Sequence, residues 1–218
     1  MRPSKLVFVL VVPAVVVASV AVASTYKNVL VDTNKVTKSG RSGGTGDTKI
    51  SVGYDDEFLY DIGWSEYQDD PCHFRTKGSH RSDDKWVDAA AVDANTSGCK
   101  DLSTSFIDHA DASEGRFISG IQVCRSGKKD TDQQKLKGIR IRTRTVSANG
   151  VVSDAPAGED DHKLAHCDTW ETWVECPSGQ LARRLLIDAF GRSAKSIELE
   201  CAAVSTGAAQ FTGSGGKK

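Results

Sequence analysis

Arg140, Arg142 and Arg144 stand at alternate positions of one run, with Ile139, Ile141, Thr143 and Thr145 between and beside them. On an extended strand such residues project from one side, about 6.5–7 Å apart. Guanidinium forks pair well with oxyanions, so a row of this kind suits the sulfates or phosphates of a polyanionic glycan. The competing reading is a solvated strand face whose arginines are matched by Glu198 and Glu200 of a second strand. Trp170 and Trp173 form a W-x-x-W run. Their rings could stack on a sugar, although an aromatic that recurs in a repeat also suits a core. W-x-x-W is also a C-mannosylation spelling. Arg140, Arg142, Arg144, Trp170 and Trp173 are therefore the ligand-binding candidates.

Other chemistry is weakly encoded. His162-x-x-x-His166-Cys167-Asp168 has metal-ligand types, but it follows an acidic Gly158-Glu159-Asp160-Asp161 loop and reads as chance clustering. That loop lacks the spaced oxygen ligands of a calcium site. No metal and no cofactor is expected. There is no G-x-S-x-G and no H-E-x-x-H, and the carboxylates offer no distinguished pair for glycoside hydrolysis. No catalytic residue is assigned. Asn95-Thr96-Ser97 is the one N-glycosylation sequon, in a polar stretch expected to be an exposed loop.

The elements that must carry these residues read as strands. Ile197, Leu199 and Cys201 alternate with Glu198 and Glu200 just as the 139–145 run alternates, the pattern of a half-buried strand. Helical periodicity is scarce. Segments 103–146 and 167–204 are diverged copies of one unit. Phe106 answers Trp170, His109 answers Trp173, and Phe117-Ile118 answers Leu181-Ala182, all at an offset of 64. After a shorter loop, Lys137-Gly138-Ile139 answers Lys195-Ser196-Ile197 at an offset of 58. A unit this short needs neighbours to bury its apolar face. A weaker third copy is read upstream, with Trp64-Ser65-Glu66-Tyr67 answering Trp170-Glu171-Thr172-Trp173 and Lys85-Trp86-Val87 opening its last strand.

Composition sets the compartment and boundaries. Arg2 and Lys5, an apolar stretch over 6–17 and Ala21-Val22-Ala23 make residues 1–23 a secretory signal peptide, with a retained anchor as the alternative. No later run approaches membrane-spanning length, so no stable membrane insertion is expected. The signal holds two of the 28 basic residues and no acidic ones, which leaves the rest at −3 and gives no reason to expect a nucleic acid partner. Residues 24–50 and 205–218 are rich in glycine and polar residues and read as a flexible linker and a tail. The domain is then 51–204. All six cysteines, Cys72, Cys99, Cys124, Cys167, Cys176 and Cys201, lie within it. An even count in a secreted chain implies disulfides. Cys176–Cys201 is the expected pair, because both belong to one repeat unit.

Trp170-x-x-Trp173-x-x-Cys176-Pro177-x-Gly179, then an apolar strand and Lys195-Ser196-Ile197-x-Leu199-x-Cys201, resembles the repeat of the vitelline-membrane outer-layer proteins. Asp130-Thr131-Asp132 and Leu136-Lys137-Gly138-Ile139-Arg140 look similar to that repeat's second half. The resemblance covers about 103–204 and implies a secreted three-fold β-prism that is lectin-like or structural. The tryptophan run also resembles that of thrombospondin type-1 modules, where indoles stack between arginines, and Arg183 and Arg184 are the arginines near enough in sequence. The expectation is an all-β, disulfide-linked, β-prism-like domain of two or three repeated small antiparallel sheets. It would be a secreted, non-catalytic binding or coat protein directed at an extracellular glycan. The alternatives are an effector or inhibitor docking on a matrix or host protein, and a glycan-active enzyme.

Overall fold

A computed structural model describes residues 28–82, 85–100, 105–106, 114–127 and 134–207. Residues 1–27, which include the expected signal peptide, His109, residues 130–132 and residues 208–218 lie outside them. Every named element is a β-strand. The described chain opens with β1 (Asn28–Gly43) and β2 (Thr48–Gly53). A first hairpin, β3 (Phe58–Tyr67) and β4 (Asp70–Ser82), is followed by β5 (Lys85–Asp88), β6 (Val92–Asn95) and β7 (Ser105–Phe106). A second hairpin, β8 (Arg116–Arg125) and β9 (Leu136–Thr145), leads to β10 (Gly158–Lys163), β11 (Thr169–Trp170) and β12 (Val174–Glu175). The third hairpin is β13 (Gln180–Phe190) and β14 (Ser193–Gly207).

Each hairpin is the centre of a small antiparallel sheet. β7 adds to β3 while β5 and β6 add to β4. β11 and β12 add to β8 while β10 adds to β9. β2 adds to β13 while β1 adds to β14. The segment entering each hairpin thus pairs with a neighbouring hairpin's first strand, and the last such exchange, β2 on β13, closes the ring. The first and third sheets also touch through one pair, Val29 with Arg81.

The three hairpins share their irregularities. Cys72, Lys137 and Lys195 are each one extra residue that interrupts the ladder at matching places, and a second interruption falls at Tyr60, Ser119 and Arg183. A bulge bends its strand and strengthens the twist, and here it is repeated three times. The register makes Phe58, Phe117 and Leu181 equivalent. All three are fully buried, in a cluster with Val29, Val146 and Ala202 that plugs one end of the axis. The larger cluster draws on every sheet, with Ile62, Trp64 and Phe74 meeting Ile121, Ile139, Ile141, Leu185, Ile197 and Leu199. The disulfides are Cys72–Cys99, Cys124–Cys167 and the expected Cys176–Cys201.

Three expectations are corrected. Residues 28–43 and 48–50, read as part of a linker, are strand β1 and the first half of strand β2. Their serines and glycines serve contact rather than freedom. Ser42 Oγ donates to Thr172 O at 3.2 Å and accepts from Val123 N at 3.0 Å. A Cβ on Gly43, at φ 110°, would meet Lys195 O at 2.5 Å. The third copy exists, but it is β3–β4. Trp64 occupies the position of Val123 and Ile187 on a core-facing strand, and Lys85-Trp86-Val87 is the added strand β5. The acidic stretch 158–161 is strand β10, not a loop.

The axis end remote from Phe117 is closed by charge. Lys137, 2% exposed, reaches Glu66 at 2.5 Å and Asp69 at 2.6 Å. Lys135 and Arg192 both reach Asp70, at 2.9 Å. Lys137, with Lys135, holds the Asp69 carboxyl below its ordinary value. Burial raises Asp70, but Lys135 and Arg192 outweigh it and leave it lowered. Folded values that are depressed contribute stability above the unfolded value of about 3.9 and lose it as pH falls through the folded values. Urea midpoints between about pH 5 and pH 2 are expected to fall more steeply for the wild type than for Asp70→Asn. Equal slopes would remove Asp70 from the account.

Candidate functional site

The candidate residues meet on the outer face of the second sheet. Ile139 and Ile141 point into the core, so alternation sends Arg140 and Arg142 outward. The cover over them comes from the segment entering the third hairpin. The Cys124–Cys167 bridge ties that segment to β8. Asp168 N donates to Arg125 O at 3.0 Å, and Glu171 N donates to Val123 O at 2.9 Å. Two glycines make room. A Cβ on Gly138 would lie 3.2 Å from the Trp170 ring, and one on Gly120 would lie 3.0 Å from Glu175 Cγ.

The result is a ladder of indoles and guanidinium groups. The Arg140 guanidinium lies 4.3 Å from the centre of the Trp170 ring, and that of Arg142 lies 4.2 Å from the centre of the Trp173 ring. Both distances are well inside cation–π range. Arg140 Nη1 donates to Gln122 Oε1 at 3.4 Å, and Gln122 Nε2 donates to Glu171 O at 2.5 Å. Arg142 Nε donates to Glu159 Oε1 at 2.8 Å, and its Nη groups bind Glu159 and Glu175. Arg144, its side chain 10% exposed, donates to Glu175 Oε2 at 3.3 Å. Partial burial works against the charge of Arg142, but the hydrogen bonds it donates to Glu159 and Glu175 outweigh it and hold the guanidinium above its ordinary value. Trp170 and Trp173 are half-buried and absent from both core clusters.

All five sequence candidates therefore share one face, with partners that periodicity did not supply. Glu198 and Glu200 are on the third sheet, where Glu198 pairs with Lys38 at 3.8 Å and Glu200 with Arg183 at 2.7 Å. Arg183 and Arg184 bind Glu200 and Asp55 and do not build the indole ladder. Glu159 and Glu175 were missed as partners. Glu159 had a signal, because β10 alternates Glu159 and Asp161 opposite Arg142 and Arg140. Glu175 had none, because β12 is two residues long. An ion pair recurs at the equivalent place of the other sheets, Asp61 with Lys77 at 3.0 Å and Arg184 with Glu200 at 3.6 Å.

The remaining candidates disperse. His162, on β10, packs its ring 5.6 Å from Trp64, and His166 occupies a left-handed turn at φ 65°. Among the described residues no group of histidines, cysteines and carboxylates could hold a metal. Asn95 is exposed, but it ends strand β6 rather than sitting in a loop.

No family model matches this chain. No curated protein matches it. Solved structures do. Calystegia sepium agglutinin aligns at TM-score 0.46 and 13% identity, over 78% of this chain and 97% of its own. Artocarpin, described as a lectin with mannose specificity, aligns at TM-score 0.45 and 12% identity, over 77% and 98%. A mannose-specific jacalin-related lectin from Morus nigra, solved with mannose, aligns at TM-score 0.46 and 10% identity, over 77% and 95%. These lectin structures are what the chain is similar to, and they do not single out the vitelline-membrane resemblance.

Proposed function

We propose that the protein is a secreted, non-catalytic carbohydrate-binding protein that presents the Trp170–Trp173 face of its second sheet to an extracellular glycan. The observation that carries this reading is the ladder itself. A pyranose ring has an apolar C–H face and a rim of hydroxyls. Half-exposed indoles match the first, and the Arg142, Glu159 and Gln122 side chains match the second with donors and acceptors already in place. The signal-peptide pattern and three disulfides support secretion. The exposure of Asn95 supports its glycosylation.

Charge narrows the ligand. Glu159 and Glu175 already occupy Arg142 and Arg144. A polyanion would have to displace them, so the reading favours neutral glycans over sulfated ones. On a glycan array the wild-type domain is expected to bind neutral oligosaccharides, with little change between low and high salt. Trp173→Ala is expected to weaken binding by about thirty-fold, the effect of truncating a 2 kcal/mol aromatic contact. Absence of any glycan binding by the wild type, or full binding by Trp173→Ala, would overturn the reading.

A further inference from the structure

We infer that the third sheet carries a second sugar subsite, on the outer face of β13 and β14 between β1 and β2, sized for one neutral hexose ring. This rests on the carbohydrate-binding reading and places a site away from the indole ladder. The register makes Leu186, Asp188 and Glu198 the equivalents of Gln122, Cys124 and Arg140. In the second sheet that spot is covered by Trp170 and the Cys124–Cys167 bridge. In the third, the entering strand β2 lies flat beside β13, with Ser51 opposite Leu186 and Lys49 opposite Asp188. Among the described residues nothing overhangs, and a cleft of about 190 Å³ remains open there. That is small against the roughly 300–1,000 Å³ of sites that enclose larger ligands.

Its lining has the two chemistries a sugar ring needs. Leu186 supplies an apolar patch, and Asp188, Glu198, Lys38, Lys49 and Ser51 surround it with acceptors and donors. The carboxylates are already matched, Asp188 by Arg41 at 3.0 Å and Lys49 at 3.9 Å, and Glu198 by Lys38 at 3.8 Å. A free anion or cation would have to break one of these pairs. Hydroxyl groups can donate to the carboxylates and accept from the ammonium groups without doing so, which makes the ligand a neutral polyol.

The test is a titration of the ¹⁵N-labelled domain with glucose, galactose, mannose and N-acetylglucosamine, followed by amide chemical shifts. Saturable shifts at Ser51, Leu186 and Glu198 are expected at millimolar sugar for at least one of the four. They should persist in Trp173→Ala and weaken at least tenfold in Glu198→Ala. Ser51→Phe, an exposed position that fills the cleft, should abolish them while leaving the urea midpoint unchanged. Shifts confined to amides around Trp170 and Trp173, or shifts at the cleft that survive both cleft variants, would overturn this subsite and leave the ladder reading standing. No response anywhere would overturn both.

Discussion

Phe117→Ala is expected to destabilise the fold by about 3–5 kcal/mol, the usual result of removing a buried phenyl ring. Phe117 is fully buried, stands edge-on to Phe58 at 5.9 Å and meets Trp86 at 4.7 Å. Its equivalents Phe58 and Leu181 come from the other two hairpins, so the cavity would open where all three sheets meet. No single strand can move to fill it without shifting two others, which puts the cost toward the upper part of that range. For a chain of this length each kcal/mol lowers the melting temperature by roughly 2–4 °C, so a fall near 10 °C should appear by calorimetry. Phe190→Ala is the control. Phe190 is 62% exposed at the end of β13, and its loss should change stability by no more than about 0.5 kcal/mol. A loss below about 1 kcal/mol for Phe117→Ala would show that the three sheets do not share this plug.

Replacing both Cys176 and Cys201 by alanine is expected to cost about 2–4 kcal/mol. The bridge closes a loop across a separation of 25 residues, and releasing it gives the unfolded chain more freedom to lose on folding. It also has a local consequence. Cys176 follows β12, the two-residue strand that places Glu175 beside Gly120 and against Arg142 and Arg144. With the bridge gone, β12 keeps its two pairs to β8 and the bond from Cys176 N to Ser119 O. Local opening of this segment should therefore rise more than global unfolding does. Hydrogen exchange is the measurement. Amides of Val174 and Glu175 should lose protection beyond the global change, while those of Ile139 and Ile141 should track it. Uniform loss across all four would mean that the bridge acts only through the unfolded chain.

Much of the architecture was legible because it is local. The alternation at 139–145 and 197–201 gave strands β9 and β14 with the correct faces inward. The offsets of 64 and 58 proved to be the register equivalences of the second and third hairpins, down to the bulge residues Lys137 and Lys195. The first hairpin was placed wrongly for a definite reason. Phe58-Leu59-Tyr60-Asp61-Ile62-Gly63-Trp64 aligns with Phe117-Ile118-Ser119-Gly120-Ile121-Gln122-Val123, but Trp64 drew the comparison toward the Trp170 segment instead. An indole signals large size without saying which face it fills. The strands within 28–50 were missed because β1 is held mostly by backbone pairing to β14 and by serine hydroxyls, with Val29 its one fully buried apolar residue. It does not show the apolar alternation by which strands are recognised.

The sequence by itself determined that three arginines share a face, that two tryptophans stand three apart, and that Cys176 and Cys201 belong to one unit. These are properties of i, i+2 periodicity and repeat spacing, and any extended chain with these residues would have them. Only the tertiary structure decided that Trp170 and Trp173 lie over Arg140 and Arg142, that Glu159 and Glu175 answer the arginines, and that the matching spot on the third sheet stays open. Those outcomes depend on which strand of one hairpin receives the entering segment of another, and on bulges that offset the register by one residue. A single such offset turns every later side chain to the opposite face. Partners across a sheet are therefore fixed by closure of the whole three-hairpin ring.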